Sequence, residues 1–167
     1  NAIKAANEFG VTQTMKLAGM MMFINDVHAM GLPTAQGMYL TDSWYWNASD
    51  DARAWGREFY KRQQAMPSSL QAADYSAALQ YLRAVKATGT DDPDRVLAHL
   101  RANKLNDMYI KDGVVRPDGR VVHDMYLLQV KTPEESKAPG DYFKVVQTID
   151  GNEAFTTKAE TRCAPWK

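Results

Sequence analysis

The stretch Asp50–Asn103, DDARAWGREFYKRQQAMPSSLQAADYSAALQYLRAVKATGTDDPDRVLAHLRAN, decides how the rest of the 167-residue chain is read. It spells three successive amphipathic helices. Asp50 and Asp51 sit in the first turn of the first, where the helix dipole favours negative charge. Its apolar stripe is Ala52, Trp55, Phe59 and Met66, and Pro67 stops it. Ser68-Ser-Leu-Gln71 then fits a capping box that opens the second helix. Leu70, Ala73, Ala77, Tyr81 and Val85 keep the period until Gly89, a good residue for the position after a helix end. Asp92-Pro93 opens the third, with Val96, Leu97 and Leu100 on its buried side.

Each stripe must be buried against something, and in α/β proteins such helices cover a parallel sheet. Upstream, Ile3, Ala6 and Phe9 mark one helix face and Gly10 ends it. Lys16–Ile24 (KLAGMMMFI) reads as a strand buried on both faces, although its three consecutive Met residues would also suit a helix. Asn25 or Asp26 then caps a short helix through Met30, stopped at Gly31, and Met38–Asp42 is the next strand. Downstream, Val114-Val115 and Val121-Val122 flank a Pro-Asp-Gly turn. The second hairpin strand runs on through Met125 to Val130, a Pro/Glu/Lys loop spans 132–140, and Tyr142–Val146 with Ile149 forms another strand. From Gly151 a polar tail follows. Two strands before the helical block and a few after it do not make a sheet wide enough for three helices. The chain therefore reads as part of a larger α/β architecture.

Composition narrows the function. Twenty Lys+Arg balance twenty Asp+Glu. With no net charge and no cationic block, a general nucleic-acid binder is disfavoured, because phosphate affinity scales with cations gathered on one face. The longest apolar run, Leu17–Ile24, is eight residues, against the roughly 20 a membrane span needs. The single cysteine, Cys163, excludes an internal disulfide framework and a multi-cysteine metal site; it pairs with an upstream cysteine or is free. Asn1 is not an initiator Met and no leader-like segment follows, so a signal peptide would lie upstream. His28, His99 and His123 are dispersed and make no zinc or iron site. Gly-x-Ser-x-Gly, a Ser-His-Asp arrangement and a Gly-rich phosphate loop are absent, which leaves no basis for an enzyme. Asn47-Ala-Ser49 matches a glycosylation sequon, which carries no meaning in a bacterial protein.

Five ordered segments carry a resemblance: Gly31–Thr41 (GLPTAQGMYLT), Trp44–Trp46 (WYW), Asp51–Trp55 (DARAW), Gln71–Ala78 (QAADYSAA) and Arg116–Tyr126 (RPDGRVVHDMY). The chain resembles the C-terminal half of substrate-binding proteins of branched-chain-amino-acid-type ABC transporters. These are type I periplasmic binding proteins of the receptor-ligand-binding-region superfamily. The resemblance implies an α/β fold, here a partial one: pieces of two three-layer lobes joined by hinge crossovers. It places residues 1–46 in lobe two, 47–112 as helices belonging to lobe one, and 113–167 as the return crossover, strands on lobe two and a tail. The helical block then lacks a sheet because lobe one's strands lie upstream. A lone copy is expected to bury its stripes by swapping, by oligomerising, or against the N-terminal part of the same protein.

The resemblance implies a pocket at the carboxyl ends of the strands near the hinge. At the end of the first strand stand Phe23, Asn25 and Asp26; they contact ligand, or Phe23 is core and Asp26 a helix cap. At the end of the second, Trp44 and Tyr45 offer flat rings to a planar ligand, or wedge the hinge together with Trp46. Gln71 and Tyr75 face the cleft from lobe one, with Gln71 as capping-box partner the alternative. The expected function is an extracytoplasmic solute-binding component of an ABC importer, periplasmic in location. It would capture a small carboxylate-bearing solute, aromatic acids included, by hinge closure and hand it to an ABC permease. No cofactor, metal, nucleic-acid partner or membrane insertion is implied. The alternative is a ligand-sensing domain of a receptor or regulator on the same fold, with an amino acid or amide ligand. The polar ending at Trp166-Lys167 favours the free transport protein.

Overall fold

The computed structural model describes residues 2–164; the expected ending at Trp166-Lys167 lies outside them. In chain order the elements are α1 (Ala2–Glu8), a 3-10 turn (Val11–Gln13), β1 (Ala18–Gly19), α2 (Ile24–Met30), α3 (Leu32–Ala35) and β2 (Tyr39–Asp42). The helical block follows as α4 (Asp50–Gln63), α5 (Ser69–Thr88) and α6 (Pro93–Ala102). The chain continues with β3 (Val114–Val115), β4 (Val121–Val122), β5 (Met125–Val130), β6 (Phe143–Ile149) and α7 (Gly151–Ala154). Among the described residues no helix is long and apolar enough to cross a membrane.

Two compact units result. One comprises residues 2–69 and 126–148, the other 70–125 and 149–164, so the chain passes between them at 69/70, 125/126 and 148/149. The first unit holds a four-stranded sheet in the order β1-β2-β5-β6. β1 and β2 run parallel, with Ala18 opposite Tyr39 and Gly19 opposite Leu40. β2 and β5 run antiparallel, from Tyr39 opposite Gln129 to Asp42 opposite Tyr126. Its core is Val27, Leu40, Leu128 and Val130, all fully buried. Alternate β2 residues point inward, so Leu40 and Asp42 are buried while Thr41 is exposed.

Two expectations need correction here. The strand expected over Lys16–Ile24 is only two residues long, and Met20 and Met21 are 90% and 84% exposed. β1 is the edge of the sheet; a strand's length is set by its neighbours, and β1 has one neighbour. The apolar residues beyond Gly19 bend away, and Ile24 opens α2. The second hairpin strand does not run through to Val130. It breaks at His123-Asp124, so β4 pairs with β3 while β5 joins β2 in the other sheet. Within this chain the two units divide at Ser69/Leu70, so α4 packs in the first unit. Trp44 meets Trp55 edge-on at 5.6 Å, and Gly56 leaves room for Trp46, whose Cβ would stand 3.1 Å from a side chain there. The aromatic run thus binds α4 to the sheet that precedes it.

α4 is capped by Ser49, whose Oγ accepts from Ala52 N (3.1 Å). It ends at Gln64 in the left-handed region, so Met66 lies beyond the helix rather than on its stripe. α6 is capped as expected, Asp92 accepting from Arg95 N (3.0 Å). In the second unit the hairpin β3–β4 pairs Val114 with Val122 and Val115 with Val121. The loop after α6 is held to α5 by the Asn106 carbonyl, which accepts from Arg83 Nη1 (2.8 Å) and Gln80 Nε2 (3.3 Å), and by the Asp107 carboxylate. Asp107 accepts from Ser76 Oγ (2.7 Å), Gln80 Nε2 (2.8 Å), Tyr109 N (2.8 Å) and Ile110 N (3.1 Å). What α5 buries is small (Ala72, Ser76, Ala84), while Leu70, Tyr75, Tyr81 and Leu82 are exposed. The long apolar side chains of this helix find no sheet to lie on within their own unit.

Candidate functional site

The carboxyl ends of parallel strands are where open α/β sheets take ligands, because loops there diverge and leave a crevice. In the first unit that edge is formed by the residues after β1 and after β2. From β1 come Met20 and Met21, the most exposed large apolar side chains of the unit together with Phe9, and then Phe23. Phe23 precedes the first turn of α2, and its backbone N–H donates to Asp26 Oδ2 (2.8 Å). Asp26 therefore satisfies the amide at the helix entry from within the first turn, not as the cap residue itself. Asn25, next to it, is exposed and helps line a cavity of about 160 Å³ with His28, Tyr60, Gln64, Met66 and Tyr142. His28 Nδ1 is hydrogen bonded to the Tyr142 hydroxyl (2.6 Å), with the two rings stacked at 5.9 Å.

From the end of β2 come Asp42, Ser43 and the aromatic run. Trp44, Tyr45 and Trp46 are all buried. The Tyr45 hydroxyl donates to the Gly140 carbonyl (3.2 Å) and accepts from Phe143 N (3.3 Å). Trp46 Nε1 donates to the same carbonyl (2.8 Å). Burial drives the Tyr45 phenol pKa far up, with the nearby Asp141 carboxylate adding to the effect. Gly140 has φ +79 and no room for a Cβ, which would come 2.4 Å from Met66 Cγ. This close approach lets the loop before β6 meet both rings. Trp44 and Tyr45 thus spend their ring surfaces on packing α4, β2 and β6 together.

Asp141 sits behind this contact. Burial works against its ionisation. Lys131 Nζ at 2.7 Å, Lys137 N at 3.0 Å and Asn47 Nδ2 at 3.3 Å outweigh it and hold the carboxyl below its ordinary range. Asp42 behaves oppositely. Its desolvation outweighs the amide and hydroxyl donors around it, and its pKa is raised.

Gln71 and Tyr75 lie in the first turns of α5, both exposed, in the second unit. The seven residues expected to bind ligand are therefore divided, Phe23, Asn25, Asp26, Trp44 and Tyr45 in one unit and Gln71 and Tyr75 in the other. Met20, Met21 and Asp42 stand at this same strand edge but were not among the residues expected to contact ligand. A run of three methionines reads as core, and an aspartate ending a strand reads as punctuation. The second unit also has an open cavity of about 620 Å³, lined among others by Ser76, Gln80, Tyr81, Tyr109 and His123.

A family model described as periplasmic binding protein matches residues 1–138. The chain belongs to the periplasmic binding protein family. A solved periplasmic binding protein from Burkholderia mallei is 60% identical over 100% of the chain, with a TM-score of 0.92. A branched chain amino acid ABC transporter periplasmic ligand-binding protein from Burkholderia xenovorans is 44% identical over 99% of it, with a TM-score of 0.94. A solute binding protein of an ABC transporter from Rhodopseudomonas palustris, solved with 3,4-dihydroxybenzoic acid, is 19% identical over 89% of the chain. It shares the fold at a TM-score of 0.73. This periplasmic binding protein chain spans 44%, 45% and 41% of those three proteins. No curated protein matches it. The architecture is that of a partial type I periplasmic-binding-protein fold, and the relatives it matches include a ligand-binding protein of a branched chain amino acid ABC transporter.

Proposed function

We propose that these residues form part of an extracytoplasmic solute-binding component of an ABC importer. It captures a small carboxylate-bearing solute, amino acids and aromatic acids included, by closing two lobes over it. The observation that carries this reading is 44% identity across essentially the whole chain to an ABC transporter periplasmic ligand-binding protein, beside 60% identity to a periplasmic binding protein. The exposed Met20 and Met21 at the carboxyl end of β1 support it, offering an apolar surface with exposed Asn25 four residues on. In this reading Trp44 and Tyr45 act by shaping the crevice, while Gln71 and Tyr75 approach the solute from the other lobe. The first unit is lobe two. The second unit's helices cover a sheet of lobe one, which accounts for Leu70, Tyr81 and Leu82 being exposed. Because closure makes contacts with both lobes, the solute shifts the protein toward the closed state by its difference in affinity for the two states. An ABC permease then receives it.

Isothermal titration of the full-length protein against leucine, phenylalanine and 3,4-dihydroxybenzoic acid tests the proposal. Heat of binding with at least one carboxylate is expected. No heat with any of them, from folded protein, contradicts it.

A further inference from the structure

The cavity of about 160 Å³ in the first unit is built without the second. Its lining comes from α2, from the last turn of α4 and the residues just after it, and from the loop before β6. It is therefore separate from the crevice that the proposed function places between two lobes. Two residues in the left-handed region shape it. Gly140 (φ 79) lets its loop approach Met66, with no room for a Cβ between them. Gln64, where α4 ends, has φ 54 and ψ 23. Glycine is the usual residue in that position, because a side chain there is strained. A strained residue kept in a cavity wall points to a use for its side chain. Gln64 Nε2 donates to the carbonyls of Lys61 (3.1 Å) and Tyr60 (3.4 Å), which leaves Oε1 as an acceptor.

The lining selects a class of ligand. It contains no Lys, Arg, Asp or Glu. A carboxylate would enter without a counter-charge, so a neutral molecule is favoured. His28 is fixed through Nδ1 by the Tyr142 hydroxyl (2.6 Å), and the two rings lie 5.9 Å apart at 25° to one another. Those flat surfaces and the Met66 thioether suit an aromatic ring. The Asn25 carboxamide and the Tyr60 hydroxyl have no hydrogen-bond partner among the described residues, and with Gln64 Oε1 they offer both donors and acceptors. Size agrees, since a cavity of about 150 Å³ takes one benzene ring.

We propose that α2, the end of α4 and the loop before β6 form a second binding site, within one unit, for a neutral hydroxylated aromatic ring of the catechol type. The ring packs among His28, Tyr142 and Met66, and its hydroxyls hydrogen bond the Asn25 and Gln64 carboxamides. This goes beyond the proposed function, because it needs neither lobe closure nor a carboxylate.

The test adds catechol to the full-length protein and follows the His28 imidazole resonances, assigned by their absence in His28→Gln. Saturable movement of those resonances is expected. Cyclohexane-1,2-diol keeps the hydroxyls without the flat ring, and benzoate keeps the ring but carries charge. By the same resonances each should bind about tenfold more weakly than catechol. Gln64→Gly removes the strain together with the carboxamide. Its affinity for catechol, read by calorimetry and at His28, should fall about tenfold while its thermal midpoint is equal or higher. A merely structural Gln64 would leave the affinity unchanged. Tyr142→Phe keeps the ring but releases His28 and should weaken catechol binding about fivefold. No catechol binding, binding that leaves the His28 resonances in place, benzoate equal to catechol at His28, or Gln64→Gly with wild-type affinity would each overturn the inference. Absence of leucine or 3,4-dihydroxybenzoic acid capture would remove the proposed function alone, and catechol binding at His28 would still support this site.

Discussion

Lys131 and Asp141 show how a single pair ties distant chain together. Their side chains are 17% and 6% exposed with Nζ 2.7 Å from Oδ1, and Asp141 also takes the Lys137 amide and the Asn47 side chain. Replacing one partner leaves the other charge buried and uncompensated, which costs about 3–5 kcal/mol. Lys131→Met should therefore lower the unfolding free energy of the full-length protein, measured by urea titration, by that order. Asp141 has its folded pKa below the ordinary value of 3.8. Its stabilising contribution is complete above that value and is lost as pH falls through the lower folded one, so the wild type should lose stability on acidification and Lys131→Met should lose less. None of this was visible beforehand. The bonds of Tyr45 and Trp46 to residues 94 to 98 positions away are long-range events, and an aromatic triplet looks the same whether its rings face a ligand or a wall. Asp26 was readable as serving the helix entry, because its partner is three residues away.

At the scale of elements, the helices were readable and the strands less so, for a physical reason. A helix is closed by hydrogen bonds within itself, so Asp92 before Pro93, Gly89 after Thr88 and the run of stripes after Asp50 carry the information locally. The Val114–Val122 hairpin was equally plain, since Pro117-Asp118-Gly119 is a local turn with Gly119 at φ +82. β1 was not, because an edge strand's extent depends on what lies beside it. The break at His123-Asp124 was hidden likewise: valines and methionines on both sides read as one strand, and only the sheets they join differ. Ser49 gives a direct check on the local logic. Ser49→Ala removes the acceptor for Ala52 N and should destabilise the first unit by about 1 kcal/mol. The readout is the protection of α4 amides against hydrogen exchange in the full-length protein, which should fall from the first turn onward while α6, capped by Asp92, is unaffected.

For the whole molecule, the two units differ in how well each buries its apolar side chains. The first has a sheet, fully buried aliphatic residues and an aromatic seam joining α4 to the strands. The second buries Ala72, Ala84, Val96, Leu105 and Ile110, while four large residues of α5 face outward. Exposed apolar surface on this scale marks a face meant to be covered. Helical stripes without a sheet were the feature in Asp50–Asn103 that pointed to a larger fold, and relatives more than twice as long carry it in solved structures. Solute identity was not readable, because in the proposed function the solute is held by side chains of both lobes, and this chain spans under half the length of its relatives. Reconstitution tests the central claim most directly: the 167-residue chain is titrated with leucine and 3,4-dihydroxybenzoic acid, alone and after refolding with the part of the Burkholderia mallei relative that it does not span. Negligible heat from either piece, and saturable binding from the reassembled pair, is the predicted result. Full-strength binding by the 167 residues alone would contradict the account.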